Sequence, residues 1–161
     1  MNNRLDEKLK TYSILLGFQA EELPALGFSL LHVSIFDHWL SEEEADRSTK
    51  LSYSISIKTG NLDRYLSGEK KYLAFYRSLS RSGAICGRPG KLTAFEGYNE
   101  KLESILIDSL REHRLADLYF VEPEVRLIAG YDRTDTIAAK TIDAVNHVRQ
   151  EASAAGLYIL P

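Results

Sequence analysis

Apolar residues recur along this chain with two different periods, and the switches between them outline its elements. Leu5, Leu9, Tyr12, Leu15 and Leu16 fall at helical spacing and stop near Gly17, which predicts an amphipathic helix with one buried face. Residues 21–24, Glu-Glu-Leu-Pro, read as a turn or short helix. Residues 30–36 are apolar with β-branched members and predict a strand. Leu51, Tyr53, Ile55 and Ile57 alternate with Ser52, Ser54, Ser56 and Lys58, which predicts a second strand, dry on one face and wet on the other. These two strands are expected to pair as an antiparallel hairpin across the loop 37–50.

Residues 61–81 return to helical spacing, with Tyr65, Tyr72, Tyr76 and Leu79 on one face and Ser67-Gly68 as the point where the helix would break. The glycine-rich residues 82–90 read as a loop, with a short strand at 84–86. Thr93 with Glu96 three residues on has the form of a capping box. The helix it would start, reaching about Arg114, turns Phe95, Tyr98, Leu102, Ile105, Leu106 and Leu110 inward. Strands are expected at 117–121 and 125–130, separated by Pro123 and followed by the charged turn 131–135.

The pattern then forks. Residues 136–140 either begin the last helix, with Thr134 or Asp135 as N-cap, or form a strand paired with 125–130, the helix starting at Thr141. The stripe Ala138, Ile142, Val145, Val148, Ala152 favours the long helix. Gly156 stops it, where a positive φ costs glycine little, and residues 157–160 form a final strand. The fold class predicted is α+β: one compact domain over residues 1–161, a mixed or antiparallel sheet packed by three to four helices, closing with a C-terminal β-α-β unit.

Composition narrows the class without identifying a chemistry. A chain of 161 residues, 44% hydrophobic and 27% charged, has the size and balance of one soluble globular domain. The formal net charge of −3 gives no general attraction to nucleic acid or anionic membrane. Cys86 is the one cysteine, so no intrachain disulfide forms and a reducing compartment is the natural reading. The polar N-terminal residues lack the apolar core of a secretory signal, and no apolar run approaches the roughly 20 residues of a membrane span. A cytoplasmic protein without a membrane partner is expected. Nine tyrosines suit both half-buried cores and binding surfaces.

Three constellations are candidates for function. Asp37, Glu42, Glu43, Glu44 and Asp46 surround Trp39, and Ser41 followed by Glu44 predicts a capped short helix. Acids beside an aromatic anchor suit docking of a basic protein; the plain reading is a solvated helix whose tryptophan plugs the core. Residues 61–91 carry seven cations against two acids, and Arg77, Arg81, Arg88 and Lys91 are candidates for an anion or nucleic-acid contact, with tyrosines as stacking platforms. The loop 82–91 lacks the G-x-x-x-x-G-K-[ST] spacing of a phosphate loop, since Leu92 follows Lys91. Glu122, Glu124, Asp132 and Asp135 gather near one strand as paired carboxylates can for acid–base work, yet Arg126 and Arg133 among them offer ordinary ion pairing. No histidine pair has helical metal spacing, no base is placed beside Cys86, and neither metal nor cofactor is called for.

With no catalytic motif in the chain, binding is the expected activity. The profile resembles in character that of bacterial immunity proteins, which neutralise cognate toxins such as nucleases. The expected function is a small, non-enzymatic protein-binding module: an immunity-type inhibitor covering a toxin's active site with Trp39 and its neighbouring acids. The alternatives are a nucleic-acid or anion binder built on residues 61–91 and a small enzyme built on Glu122, Asp132, Arg133 and Asp135.

Overall fold

The computed structural model describes residues 3–48 and 52–161. Seven strands form one sheet in the order β3-β2-β4-β5-β6-β1-β7, with every ladder antiparallel. The strands are β1 (Ser29–Ser34), β2 (Ala84–Arg88), β3 (Thr93–Phe95), β4 (Asp117–Phe120), β5 (Val125–Ile128), β6 (Thr134–Ala139) and β7 (Tyr158–Leu160). The α-helices among the described residues are α1 (Asn3–Leu15), α2 (Glu42–Arg47), α3 (Tyr53–Lys58), α4 (Leu62–Leu79), α5 (Glu100–Leu110) and α6 (Ile142–Ala154). A 3-10 helix spans Ala20–Leu26.

The α+β expectation is met, and the helices divide between the two faces. On one face α4, α5 and α6 supply Tyr72, Phe75, Tyr76, Leu102, Leu106 and Val148 to a core that takes Val33, Leu118, Leu127 and Ile137 from the sheet. On the other, α1 and the 3-10 helix bring Leu5, Tyr12, Leu15 and Leu23 onto Ile85, Tyr119 and Ala138. An ion pair fastens α1: Arg126 Nη2 lies 2.8 Å from Asp117 Oδ2, both side chains buried. The same guanidinium donates to the carbonyls of Leu15 and Phe18 at 2.6 and 2.8 Å, which ties it to the C-terminal end of α1.

Helix α4 runs unbroken through Ser67-Gly68. Gly68 faces the sheet, where a Cβ would lie 3.5 Å from both Arg133 and Ile35, so the glycine permits close approach and marks no break. The closing β-α-β unit is present, with a different first strand. Strands β6 and β7 are each antiparallel to β1 and lie on either side of it, so α6 connects two strands that run in parallel with β1 inserted between them.

Three expectations are corrected. Residues 53–58 form α3, not a strand, and Leu51 of that pattern lies outside the described residues. Ser52 caps α3 by accepting from Ile55 N, and Ser56 donates to the Tyr53 carbonyl at 2.7 Å. Ile55 and Ile57 stand 51% exposed while Ser56 is buried, so the alternation did not encode burial. Strand β1 therefore has no hairpin with this segment and pairs with β6 and β7 instead. Second, Thr93 and Phe95 belong to β3, and Asn99 is the true N-cap, accepting from Leu102 N at 2.9 Å. Third, the fork resolves to the strand: β6 holds Thr134–Ala139, and Thr141 caps α6 by accepting from Ala144 N.

Candidate functional site

Pleating assigns the side chains of β6, β1 and β7 to opposite faces. Leu31, Val33, Ile137 and Ala139 enter the core beneath α4 and α6. The opposite face carries Thr134, Ser34 and Tyr158 in one cross-strand row and Thr136, His32 and Leu160 in the next. Beyond Leu30 and Ala138, which pack with the helices of that face, this end of the sheet is partly open: His32, Thr134 and Thr136 are half-buried and Tyr158 is exposed, while Ser34 and Leu160 are buried.

The loop after β1 folds back over this surface. Trp39 donates its indole N–H to the Pro161 carbonyl at 2.9 Å and meets His32 edge-on, ring centres 5.2 Å apart, while remaining 50% exposed. The expected capped helix follows. Ser41 Oγ accepts from Glu44 N, and Glu44 Oε2 accepts from Ser41 N at 2.8 Å. Helix α2 buries no residue. His38 bridges Asp37 and Glu44 at 2.6 and 2.8 Å. These hydrogen bonds raise the histidine's pKa and lower that of Asp37; Glu44 is lowered first by its bond from the Ser41 backbone and then by His38.

Of the acids in this segment, Glu43 pairs with Arg47 at 2.7 Å, whereas Glu42 and Asp46 have no ion-pair partner among the described residues. A depression of about 220 Å³ joins Trp39 and Glu42 to Ser34, Phe36, Tyr131 and Asp132. Of the predicted set, Trp39 and Glu42 border this depression, together with Tyr131, 66% exposed, whereas Asp46 lines a separate one with Arg47, Ser52 and Glu112; Tyr158, also exposed, stands beside Ser34 in the sheet. Sequence reasoning missed these two tyrosines. Tyr158 showed only as one member of an apolar run, and Tyr131 only as part of a charged turn.

The basic candidates are dispersed. Arg77 lies 3.3 Å from Glu103 and over the Tyr98 ring. Arg81 borders a separate depression with Ser82, Glu122 and His147. Arg88 and Lys91 belong to the β2–β3 hairpin, at the far end of β2 from Arg81; the strand between alone spans roughly 13 Å. Tyr65, Tyr72 and Tyr76, expected beside these cations as stacking platforms, are buried at 0–2% exposure. Two of the loop glycines have packing reasons: a Cβ at Gly87 would fall 2.6 Å from Leu16 and from the Tyr12 hydroxyl, and one at Gly83 would fall 2.9 Å from the Phe95 carbonyl oxygen.

The carboxylates of 122–135 point in different directions. Glu122 accepts from Ser82 at 2.8 Å and pairs with Arg4, and Glu124 pairs with Lys8 of α1. Glu112 accepts from the Asp132 backbone N–H at 3.0 Å. Asp135 is buried on the α4 face, accepting from the Tyr76 hydroxyl and from Gly130 N; burial pushes its pKa up to about 6. Arg133, 4% exposed, is stacked on Tyr65. No group of three metal-ligating side chains occurs among the described residues. Cys86 is buried, its thiol pushed by desolvation to about 11 and donating to the Arg88 carbonyl.

Comparison with models of protein families, with curated proteins and with solved structures gave no match. No helix among the described residues is long and apolar enough to cross a membrane.

Proposed function

We propose that the protein is a binding module for a basic protein partner, acting as an immunity-type inhibitor of a toxin by covering its active site with the surface around Trp39. The observation that carries this reading is the setting of Trp39. Its indole is anchored by the Pro161 carbonyl and by His32, yet half its surface faces solvent. A large aromatic fixed in advance loses little conformational entropy on docking, which is how interface anchors gain affinity. Around it, five acids face a single arginine over residues 37–47, which favours fast encounter with a cationic surface.

The test uses the two acids that hold nothing in place. Glu42→Lys with Asp46→Lys preserves the Ser41–Glu44 cap and the His38 bridge. The wild-type chain, used as bait in lysate of its own host, is expected to retain a basic protein in a one-to-one complex that weakens with salt, and the double variant to lose it. A partner held equally by both chains would refute the acidic surface. Retention of nucleic acid instead of protein would move the assignment to Arg77, Arg81, Arg88 and Lys91.

A further inference from the structure

A second concavity lies on the α1 side of the sheet, with no part in the surface around Trp39. It measures about 420 Å³ and is walled by Ile14 and Leu15 of α1, Leu26 of the 3-10 helix, Phe28 and Tyr119. That volume falls within the range of small-molecule sites. Its mouth is apolar where a closed fold has no need of it: Ile14 is 68% exposed and Leu26 40%, and Ile142, next in sequence to the lining residue Thr141, is 77% exposed.

The polar groups on this wall are few and asymmetric. Glu124 is committed to Lys8. Lys140 has no carboxylate partner among the described residues; its ammonium lies 5.7 Å from the centre of the Phe28 ring. It stands just before Thr141, the N-cap of the 13-residue helix α6, where helix amides favour negative charge. Tyr119 is 3% exposed and lines the same wall. Its hydroxyl makes no hydrogen bond among the described residues and is not one of the groups sealed from solvent, so it is open to a ligand's acceptor. Tyr119 stands level with Ala138 across two ladder steps, Lys140 follows the end of β6, and both line this one depression. The row separation of roughly 10 Å across and 7 Å along lets long side chains meet over one ligand.

An apolar slot whose uncommitted charge is a single cation, with an idle phenol donor beside it, is complementary to an apolar body bearing one negative oxygen pair. We infer that this groove binds a free aliphatic carboxylate, its chain against Leu15, Leu26 and Phe28 and its head group accepting from Lys140 and Tyr119.

Calorimetric titration of the full chain with decanoate, decanol and decyltrimethylammonium tests this directly. Saturable one-to-one binding of decanoate is expected, with decanol weaker by about fivefold, the value of one partly exposed charge contact, and the cationic probe weaker still. Lys140→Ala should bring decanoate down to the level of decanol and leave decanol itself unchanged, while Lys140→Arg restores the preference. Ile14→Glu, at an exposed position, should weaken both decanoate and decanol, with Tm reporting that the fold is intact. No saturable binding of decanoate, equal affinity for decanoate and decanol, or indifference to Lys140→Ala would overturn the assignment. Binding only to vesicles containing anionic lipid, with none to dispersed decanoate, would also overturn it in favour of a membrane contact.

Discussion

The Arg133 guanidinium lies 4.1 Å from the centre of the Tyr65 ring, and none of its three nitrogens has a hydrogen-bond partner among the described residues. Stacking on the ring face supplies part of the lost hydration, but an arginine 4% exposed with no acceptor retains a large desolvation penalty. Arg133→Met, which keeps the length and apolar stem, is therefore expected to raise unfolding free energy by about 1–3 kcal/mol, read from the denaturant midpoint. Tyr65→Leu in the wild-type background should lower it, since the cation would lose its only stacking surface of that closeness. A fall in stability with Arg133→Met would mean that the stack outweighs the desolvation.

Asp135 makes stability depend on pH in an unusual direction. Its carboxyl titrates near 6 in the fold because burial disfavours the anion, against 3.8 unfolded. Between those values the folded state holds the extra proton, so unfolding free energy falls as pH rises through this window and levels off above it. The penalty amounts to roughly 3 kcal/mol at neutral pH. Asp135→Asn should flatten that segment of the stability–pH curve, with the two proteins compared by denaturation at matched pH. A parallel decline in both would place the titration elsewhere.

Removing one member of the buried pair on the other face should be severe. Arg126→Met leaves Asp117 buried, 5% exposed, with the Tyr12 hydroxyl at 2.8 Å as its one remaining side-chain partner among the described residues, and removes a donor from the Phe18 carbonyl and one of two from the Leu15 carbonyl. A loss of about 3–5 kcal/mol is expected. Exchange of the α1 amides should rise more than that of the α4 amides, because the clamp holds α1.

Trp39 is the sole tryptophan, so emission excited at the red edge, where the tyrosines do not absorb, reports on the proposed docking surface. Partner binding should shift the emission to the blue. Trp39→Ala should abolish tight binding while changing stability by no more than about 1 kcal/mol, consistent with a half-exposed side chain. A partner that leaves the emission unchanged binds elsewhere on the molecule.

Cys86 should resist alkylation in the folded protein. Burial and a pKa near 11 keep the thiolate scarce at neutral pH. Iodoacetamide labelling should follow global unfolding in denaturant, and rapid labelling of the native protein would contradict the packing of β2.

Elements were legible in the sequence where a single period coincided with burial. The tyrosines of α4 and the apolar positions of α1 meet that condition, as does the strand pair around Pro123. The serine-rich residues 52–58 are too few to separate the two periods, and serine hydroxyls bonding the local backbone decided for helix. Residues 134–139 failed for another reason. Ala138 and Ile142 fit a helical stripe, but Ala138 faces α1 as part of β6, and the cap at Thr141 begins the helix afterwards. The acidic segment around Trp39 was visible as charge beside an aromatic. Tyr131 and Tyr158 join it only through the register of β1 with β6 and β7, a relationship spanning roughly a hundred residues that no local pattern carries.

That same register governs how the protein can be made. Strand β1 is made roughly a hundred residues ahead of both its neighbours, which come from residues 134–160. At about 5–20 residues per second, the nascent chain spends seconds with both margins of an apolar strand unpaired, a template for misassociation with other chains. Sheet closure around β1 thus waits until residues 134–160 have been synthesised. Any truncation before residue 134 would remove both ladder partners of β1 and leave its two edges open.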